Sequence, residues 1–139
     1  MSARIVVHSL DHALAAASAA AGLGKPVALA SAPGAGTYAG PTWFLAVVEA
    51  ARSAHPGARV TAVLDCAGEA GSALAALRAG ARRVRFSGRC DTARRLAEIA
   101  AALGAEIERG PPPPALDLLG ERDPAGACRA WLLAHGTPP

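Results

Sequence analysis

Asp65 and Cys66 stand where the apolar run of TAVLDCAGEAG gives way to its loop. In parallel α/β folds, ligands and chemistry collect at that carboxyl end of the strands. Asp65 there is either a cap for the helix that follows, the commoner role for an aspartate before a helix, or a general base. Cys66 has no histidine nearby in sequence to take its proton, so it reads as a small buried hydrophobe rather than a nucleophile. The loop PGAGTYAG at 33–40 presents backbone N–H groups at a helix start, a favourable place for a phosphate or carboxylate. That makes Gly34, Ala35 and Tyr38 candidate ligand contacts, against the alternative of a plain tight turn. The loop carries neither the lysine of a Walker motif nor the spacing of a dinucleotide fingerprint. Further on, period-two alternation puts Val84 and Phe86 on one face of a strand and Arg83, Arg85 and Ser87 on the other. Two arginines cannot be left in a dry core without partners. That face is open to solvent, or binds anions, or is paired by Asp65 or Glu108.

These residues need strands and helices to position them. The run IVV within Arg4–Leu10 predicts a first strand, and Asp11 is a plausible N-cap for the alanine-rich helix that stops at Gly22 and Gly24. PVALASA predicts a second strand, and Pro41 fits the first turn of the helix TWFLAVVEAARSAH. Arg59–Asp65 is a third strand, followed by the helix SALAALRAG. Arg82–Phe86 is a fourth strand, after which Asp91 or Thr92 can cap TARRLAEIAAALG. Glu106, Ile107 and Glu108 suggest a short fifth strand, and the prolines at 111–114 force an extended segment. Asp123 and Pro124 then make an N-cap with proline at the first helical position of AGACRAWLLAHG. Phe44 and Trp43, and Leu132 and Trp131, are read as core residues of their helices.

Strands alternating with helices predict a parallel sheet. The expected fold is a single α/β domain over residues 1–139, with five parallel strands, arranged as half a β/α barrel or as a flavodoxin-like three-layer sandwich. Half-covered parallel sheets are rare, so a homo-oligomer or a complementary subunit is expected to cover the open face.

The second and third units carry residues that resemble a known family. Gly34, Ala35, Tyr38, Ala39 and Gly40 match a strand-end pattern S-x-G-A-x-x-Y-A-G; Asp65 matches the aspartate of H-x-D-H-G; Ala79, Gly80, Val84 and Gly88 match the following A-G-F-T-S-V and D-G-S. The stretch resembles the first half of class II, metal-dependent fructose-bisphosphate aldolases, and the order and spacing of the matches make the resemblance fairly specific. It implies a β/α-barrel ancestry, an aspartate that exchanges a proton with substrate, and a divalent cation that polarises a ketose carbonyl. Ser31 lies beside the position of a family serine, Ser87 replaces an aspartate, and Glu108 matches the first glutamate of V-E-x-E-L-G. The departures fall on the metal ligands. The two histidines of H-x-D-H fall on Val63 and Cys66, and the ligand glutamate falls on Gly110. Such a barrel needs roughly 250 residues for eight units, against 139 here.

The resemblance thus implies a catalytically degenerate aldolase-like domain with no retained cofactor. A small anionic or phosphorylated ligand would be held by Ser31, Gly34, Ala35, Tyr38, Arg85, Ser87 and Glu108. The alternatives are a lyase or isomerase completed by a second subunit, with Asp65 as acid/base, and a non-enzymatic protein-interaction module. Basic residues number 14 against 11 acidic, giving a formal charge of +3; neither this nor the arginines at 82–95 predicts a nucleic-acid partner. Cys66, Cys90 and Cys128 are too few and too widely spaced for a disulfide framework or a zinc knuckle. No apolar run reaches membrane-spanning length, and a soluble, cytoplasmic protein is expected. The four histidines are scattered, and His8, ending the first strand, is read as a surface residue.

Overall fold

A computed structural model describes residues 2–136. Strands β1 (Ala3–Val6), β2 (Val27–Ala30), β3 (Val60–Asp65), β4 (Arg83–Arg85), β5 (Glu106–Glu108) and β6 (Ala115–Asp117) form one sheet in the order β5-β4-β3-β2-β1-β6. Five strands lie where the sequence places them. The sixth, β6, follows directly on the proline run and pairs parallel to β1, with Val6 opposite Asp117. Its three residues, ALD, are too short to show a period, which is why five strands rather than six are expected from sequence. The helices are α1 (Leu10–Leu23), α2 (Ala35–Tyr38), α3 (Pro41–Ala54), α4 (Ala70–Arg78), α5 (Cys90–Ala102) and α6 (Pro124–His135). The chain is thus an α/β fold with a parallel sheet alternating with helices.

The chain divides into two compact units. One comprises residues up to Ala30, Ala46–Thr61 and from Pro113 onward. Its β1 and β2 pair in parallel from Ala3 opposite Val27 to Val6 opposite Ala30. Ile5, Val7, Val27 and Leu29 are buried at their centre, and α1 and α6 pack on each other through small residues. Ala13, Ala16, Ala17 and Ala20 are buried along α1, so its core comes from close approach rather than bulk. Cys128 and Leu132 of α6 are fully buried. Trp131 is only half-buried and stacks on His135, with ring centroids 3.7 Å apart. The N-cap of α1 is Ser9 rather than Asp11: its side chain accepts the His12 N–H, and the helix starts two residues earlier than the acidic cap would set it. α6 starts as its sequence dictates, with Asp123 accepting from the Gly126 N–H and Pro124 in the first turn.

The second unit comprises Ser31–Leu45 and Ala62–Pro112. Here β3, β4 and β5 lie side by side, with Leu64 opposite Val84 and Val84 opposite Ile107. α4 packs on β4, α5 on β5, and the two helices on each other, so both cover the same face of the three strands. Val84 and Phe86 are buried as their alternation predicts, and Phe44 is fully buried, while Trp43 is 42% exposed rather than in the core. α5 has Arg89 at its N-cap position with no side-chain cap, and Asp91 accepts from the N–H of Thr92 next to it and from the Arg89 guanidinium. Neither Asp91 nor Thr92 is therefore its cap; both lie inside the first turn.

Candidate functional site

The predicted site residues all fall in the second unit: Asp65, Arg85 and Glu108 end β3, β4 and β5, Ser87 follows β4, and Ser31, Gly34, Ala35 and Tyr38 lie in the segment after β2. Asp65 closes β3. Its Oδ1 accepts the backbone N–H of Ala67 at 2.8 Å and that of Gly34 at 3.1 Å. α4 begins only at Ala70, with Glu69 at its N-cap, so Asp65 does not cap that helix. It pins two loops instead. Ala67 has φ of 50°, a left-handed conformation that non-glycine residues adopt at a cost of roughly 1–2 kcal/mol. The bond from its N–H to Asp65 and the bond from the Ser87 N–H to its carbonyl oxygen hold it there.

Ser31 is buried, and its Oγ accepts the Asp65 N–H at 2.9 Å and donates to the Ala32 carbonyl at 3.1 Å. Gly34 has φ of 74°, which admits glycine without strain. The loop at 33–40 is not wholly irregular: Ala35–Tyr38 make one helical turn, with Ala35 buried and Tyr38 71% exposed. This turn lies against the end of β3. The Thr37 hydroxyl donates to the Cys66 carbonyl at 3.1 Å, and a Cβ on Gly36 would stand 2.6 Å from Cys66 Sγ. Cys66 is fully buried, and burial, with the Asp65 charge beside it, pushes its thiol up to about 11. It is a packing residue, as its sequence context suggests.

Arg85 stands between two carboxylates. Parallel register sets Asp65, Arg85 and Glu108 in one row across three strands, on one face. Arg85 Nε lies 3.8 Å from Asp65 Oδ2, and Nη1 lies 3.8 Å from Glu108 Oε2; the three side chains are 14–19% exposed. Nη2 donates to the Gly110 carbonyl. Nη1 is shielded from solvent and makes no hydrogen bond among the described residues. Of the three fates open to the arginine face, pairing by Asp65 and Glu108 is therefore observed. One step down the sheet Arg83 pairs with Glu106 at 2.5 Å. Ser87 is exposed beyond the end of β4.

Sequence reading overlooked Arg109. Its Nη1 donates at 2.8 Å to the carbonyls of both Phe86 and Gly88, and its guanidinium lies 5.5 Å from the Phe86 ring centroid. It clamps the loop after β4. A single arginine after a short strand carries no periodic signal that would have shown this. The first unit has a cluster of its own, where His8 Nε2 is 2.6 Å from Asp117 Oδ1.

A divalent metal is what the aldolase resemblance implies, and the donors here do not fit one. Asp65 Oδ1 is spent on two backbone N–H groups, Cys66 is buried against Gly36, and Glu108 faces Arg85. Among the described residues no three His, Cys, Asp or Glu side chains are grouped to hold a metal ion.

A search of solved structures matches 76% of this chain to 40% of a crystal structure from Coccidioides immitis, described as "a putative fructose-1,6-biphosphate aldolase", with a TM-score of 0.57 and 22% identity. The likeness is one of fold, a parallel sheet alternating with helices. The chain spans about two-fifths of that protein's length. No family model matches the sequence, and no curated protein matches it. Among the described residues no helix is long and apolar enough to cross a membrane.

Proposed function

We propose that this chain is a catalytically degenerate aldolase-like domain that binds a small anionic ligand, phosphorylated ligands included, at the carboxyl ends of β3, β4 and β5. One observation carries the reading. Arg85 Nη1 is enclosed yet unbonded, with Glu108 at 3.8 Å from it and Asp65 at 3.8 Å from Nε, both beyond hydrogen-bond reach. An anionic oxygen at about 2.8 Å would supply the charge-assisted bond that Nη1 lacks. Asp65 and Glu108 offset the Arg85 charge, so the ligand must displace part of that pairing and binds weakly. Exposed Ser87 and Tyr38 supply further contacts from the loops. Degeneracy follows from the use of Asp65: an oxygen that holds Gly34 and Ala67 in place is poorly suited to exchanging protons with a substrate.

Calorimetric titration with inorganic phosphate, and with glucose 6-phosphate against glucose, tests the reading. Saturable binding of the phosphorylated compounds, lost in Arg85→Gln, is expected. Absence of binding at millimolar concentration, or binding unchanged in Arg85→Gln, overturns it.

A second reading rests on the sheet order. β5 and β6 are its edge strands, each with one side unpaired in the sheet, and such edges are templates for another chain. A second copy or a complementary subunit pairs there. A strictly monomeric mass by light scattering across micromolar concentrations removes this reading for the chain alone.

A further inference from the structure

The carboxyl ends of β1 and β6 carry a cluster of titratable side chains that the reading above does not use. Val6 of β1 is opposite Asp117 of β6. Two residues past Val6, His8 brings Nε2 to 2.6 Å from Asp117 Oδ1, which also accepts the Leu119 N–H at 2.9 Å. The His8 backbone N–H donates to His12 Nδ1 at 3.0 Å, and the two rings meet edge-on with centroids 5.9 Å apart. His12 is itself fixed by its backbone N–H on Ser9 Oγ.

Hydrogen-bond valence assigns the protons. His12 Nδ1 accepts, so its neutral ring carries the proton on Nε2. Burial, and the neighbouring His8, hold His12 below its ordinary 6.5 against the opposing pull of Asp11 and Asp117, which keeps this ring neutral. Asp117 is an acceptor, so His8 Nε2 is the donor between them and His8 Nδ1 is left with its lone pair. Neither His8 Nδ1 nor His12 Nε2 has a hydrogen-bond partner among the described residues. One basic nitrogen and one N–H donor thus sit on adjacent rings, with a carboxylate behind the base. That is the arrangement of a general base with an orienting partner.

The surroundings select the substrate class. In the form that acts as a base, with both rings uncharged, the cluster would carry the one negative charge of Asp117, which repels anions. Leu10 and Leu119, beside the cluster in sequence, expose apolar side chains, at 43% and 70%. A small uncharged molecule with a polar reacting group and an apolar body suits these features.

We propose that His8 is a general base for the hydrolysis of small uncharged esters, with His12 as hydrogen-bond donor and Asp117 as the positioning residue. His8 Nδ1 takes a proton from water as the water oxygen bonds to the ester carbonyl carbon. The carbonyl π pair moves onto oxygen, which accepts from His12 Nε2–H. Collapse of the tetrahedral adduct breaks the C–O bond to the leaving alcohol, whose oxygen takes the proton from His8. Ester and water become acid and alcohol, and His8 returns to its neutral state. Nothing in this depends on Arg85 or on an anion at β3–β5.

The test follows release of 4-nitrophenol from 4-nitrophenyl acetate by the intact chain. The expected rate is about 10²-fold above that of free imidazole at the same histidine concentration. His8→Gln returns it to the imidazole level, and His55→Gln, a histidine away from the cluster, leaves it unchanged. Asp117→Asn lowers the rate and displaces the pH–rate profile toward lower pH, a shift that a purely structural role would not produce. A wild-type rate no higher than free imidazole overturns the proposal, as does a His8→Gln rate equal to wild type or an unmoved profile in Asp117→Asn. Should His8→Gln fail to fold, imidazole nitrogen NMR of the wild-type chain decides: a proton on His8 Nδ1 rather than Nε2 at neutral pH overturns it.

Discussion

Gly34 donates its backbone N–H to Asp65 Oδ1 at 3.1 Å, across 31 positions of the chain. The bond ties the turn after Ser31 to the end of β3, and the same oxygen holds the Ala67 N–H. Asp65 therefore acts first on structure. Asp65→Ala leaves two backbone donors without their acceptor and takes away one of the two carboxylates beside Arg85, and should lower stability by about 2–4 kcal/mol. Asp65→Asn keeps an acceptor oxygen and should lose less than half as much. Denaturant unfolding of the three proteins checks the order; equal losses for Ala and Asn would show that the Oδ1 bonds are not what matters.

Thiol reactivity separates the three cysteines. Cys66 and Cys128 are fully buried, and burial pushes each thiol up to about 11, helped by Asp65 and Glu121 respectively. Cys90 is exposed at the start of α5, with Arg109 Nη2 at 3.7 Å from its sulfur. Reaction with a disulfide reagent at neutral pH should modify one thiol quickly and two only on unfolding. Peptide mapping should place the fast label on Cys90, and fast labelling of Cys66 would mean that the end of β3 opens.

Much of the strand and helix order was legible because each element has its own local signal. IVV, the Gly22/Gly24 stop and the Asp123-Pro124 start act within a few residues, and the structure keeps them. The alternation Arg83, Val84, Arg85, Phe86 also identified which side chains are buried. What escaped depends on partners distant in sequence. His8 and Asp117 are 109 positions apart and meet only because β6 pairs with β1. β6 itself, at three residues, is defined by that pairing and not by its own pattern. The place of Asp65 at a strand end is legible in TAVLDC, but its role as a loop pin depends on Gly34, 31 positions away.

Acid should weaken the first unit in two steps, and the signs follow from the shifts. His12 lies below 6.5 in the fold, mainly through burial and then through the neighbouring His8, so the fold favours its neutral form. The stability linked to it is full above 6.5 and declines as pH falls from there toward the folded value. Asp117 is pushed up by burial but, on balance, lies below 3.8, because the Leu119 N–H and His8 favour its carboxylate. Its contribution is present above 3.8 and is lost as pH falls through the lower folded value. Unfolding free energy should therefore decline as pH falls below 6.5, and again as it falls below 3.8. His12→Gln retains an acceptor for the His8 N–H but does not titrate, so it should flatten the first decline alone. A first decline of the same size in that variant would assign the step to another group.

Gly36 shows how closely α2 approaches β3. A Cβ there would meet Cys66 Sγ at 2.6 Å, the Asp65 carbonyl oxygen at 3.0 Å and Leu64 Cγ at 3.2 Å. Its backbone is not in the left-handed region, so the obstacle is space alone. Gly36→Ala should destabilise by about 1–3 kcal/mol through overpacking. Cys66→Ala removes the nearest clashing atom and leaves a small cavity of its own. The double variant should therefore be more stable than the sum of the two single losses implies, with a coupling of about 1 kcal/mol. The recovery stays incomplete because the Asp65 carbonyl belongs to the strand and cannot yield as a side chain can. Unfolding curves for the four proteins measure the coupling. Strict additivity would mean that the turn moves away from β3 to make room, in which case the Gly34–Asp65 bond should weaken too, and faster hydrogen exchange at the Gly34 amide would show it.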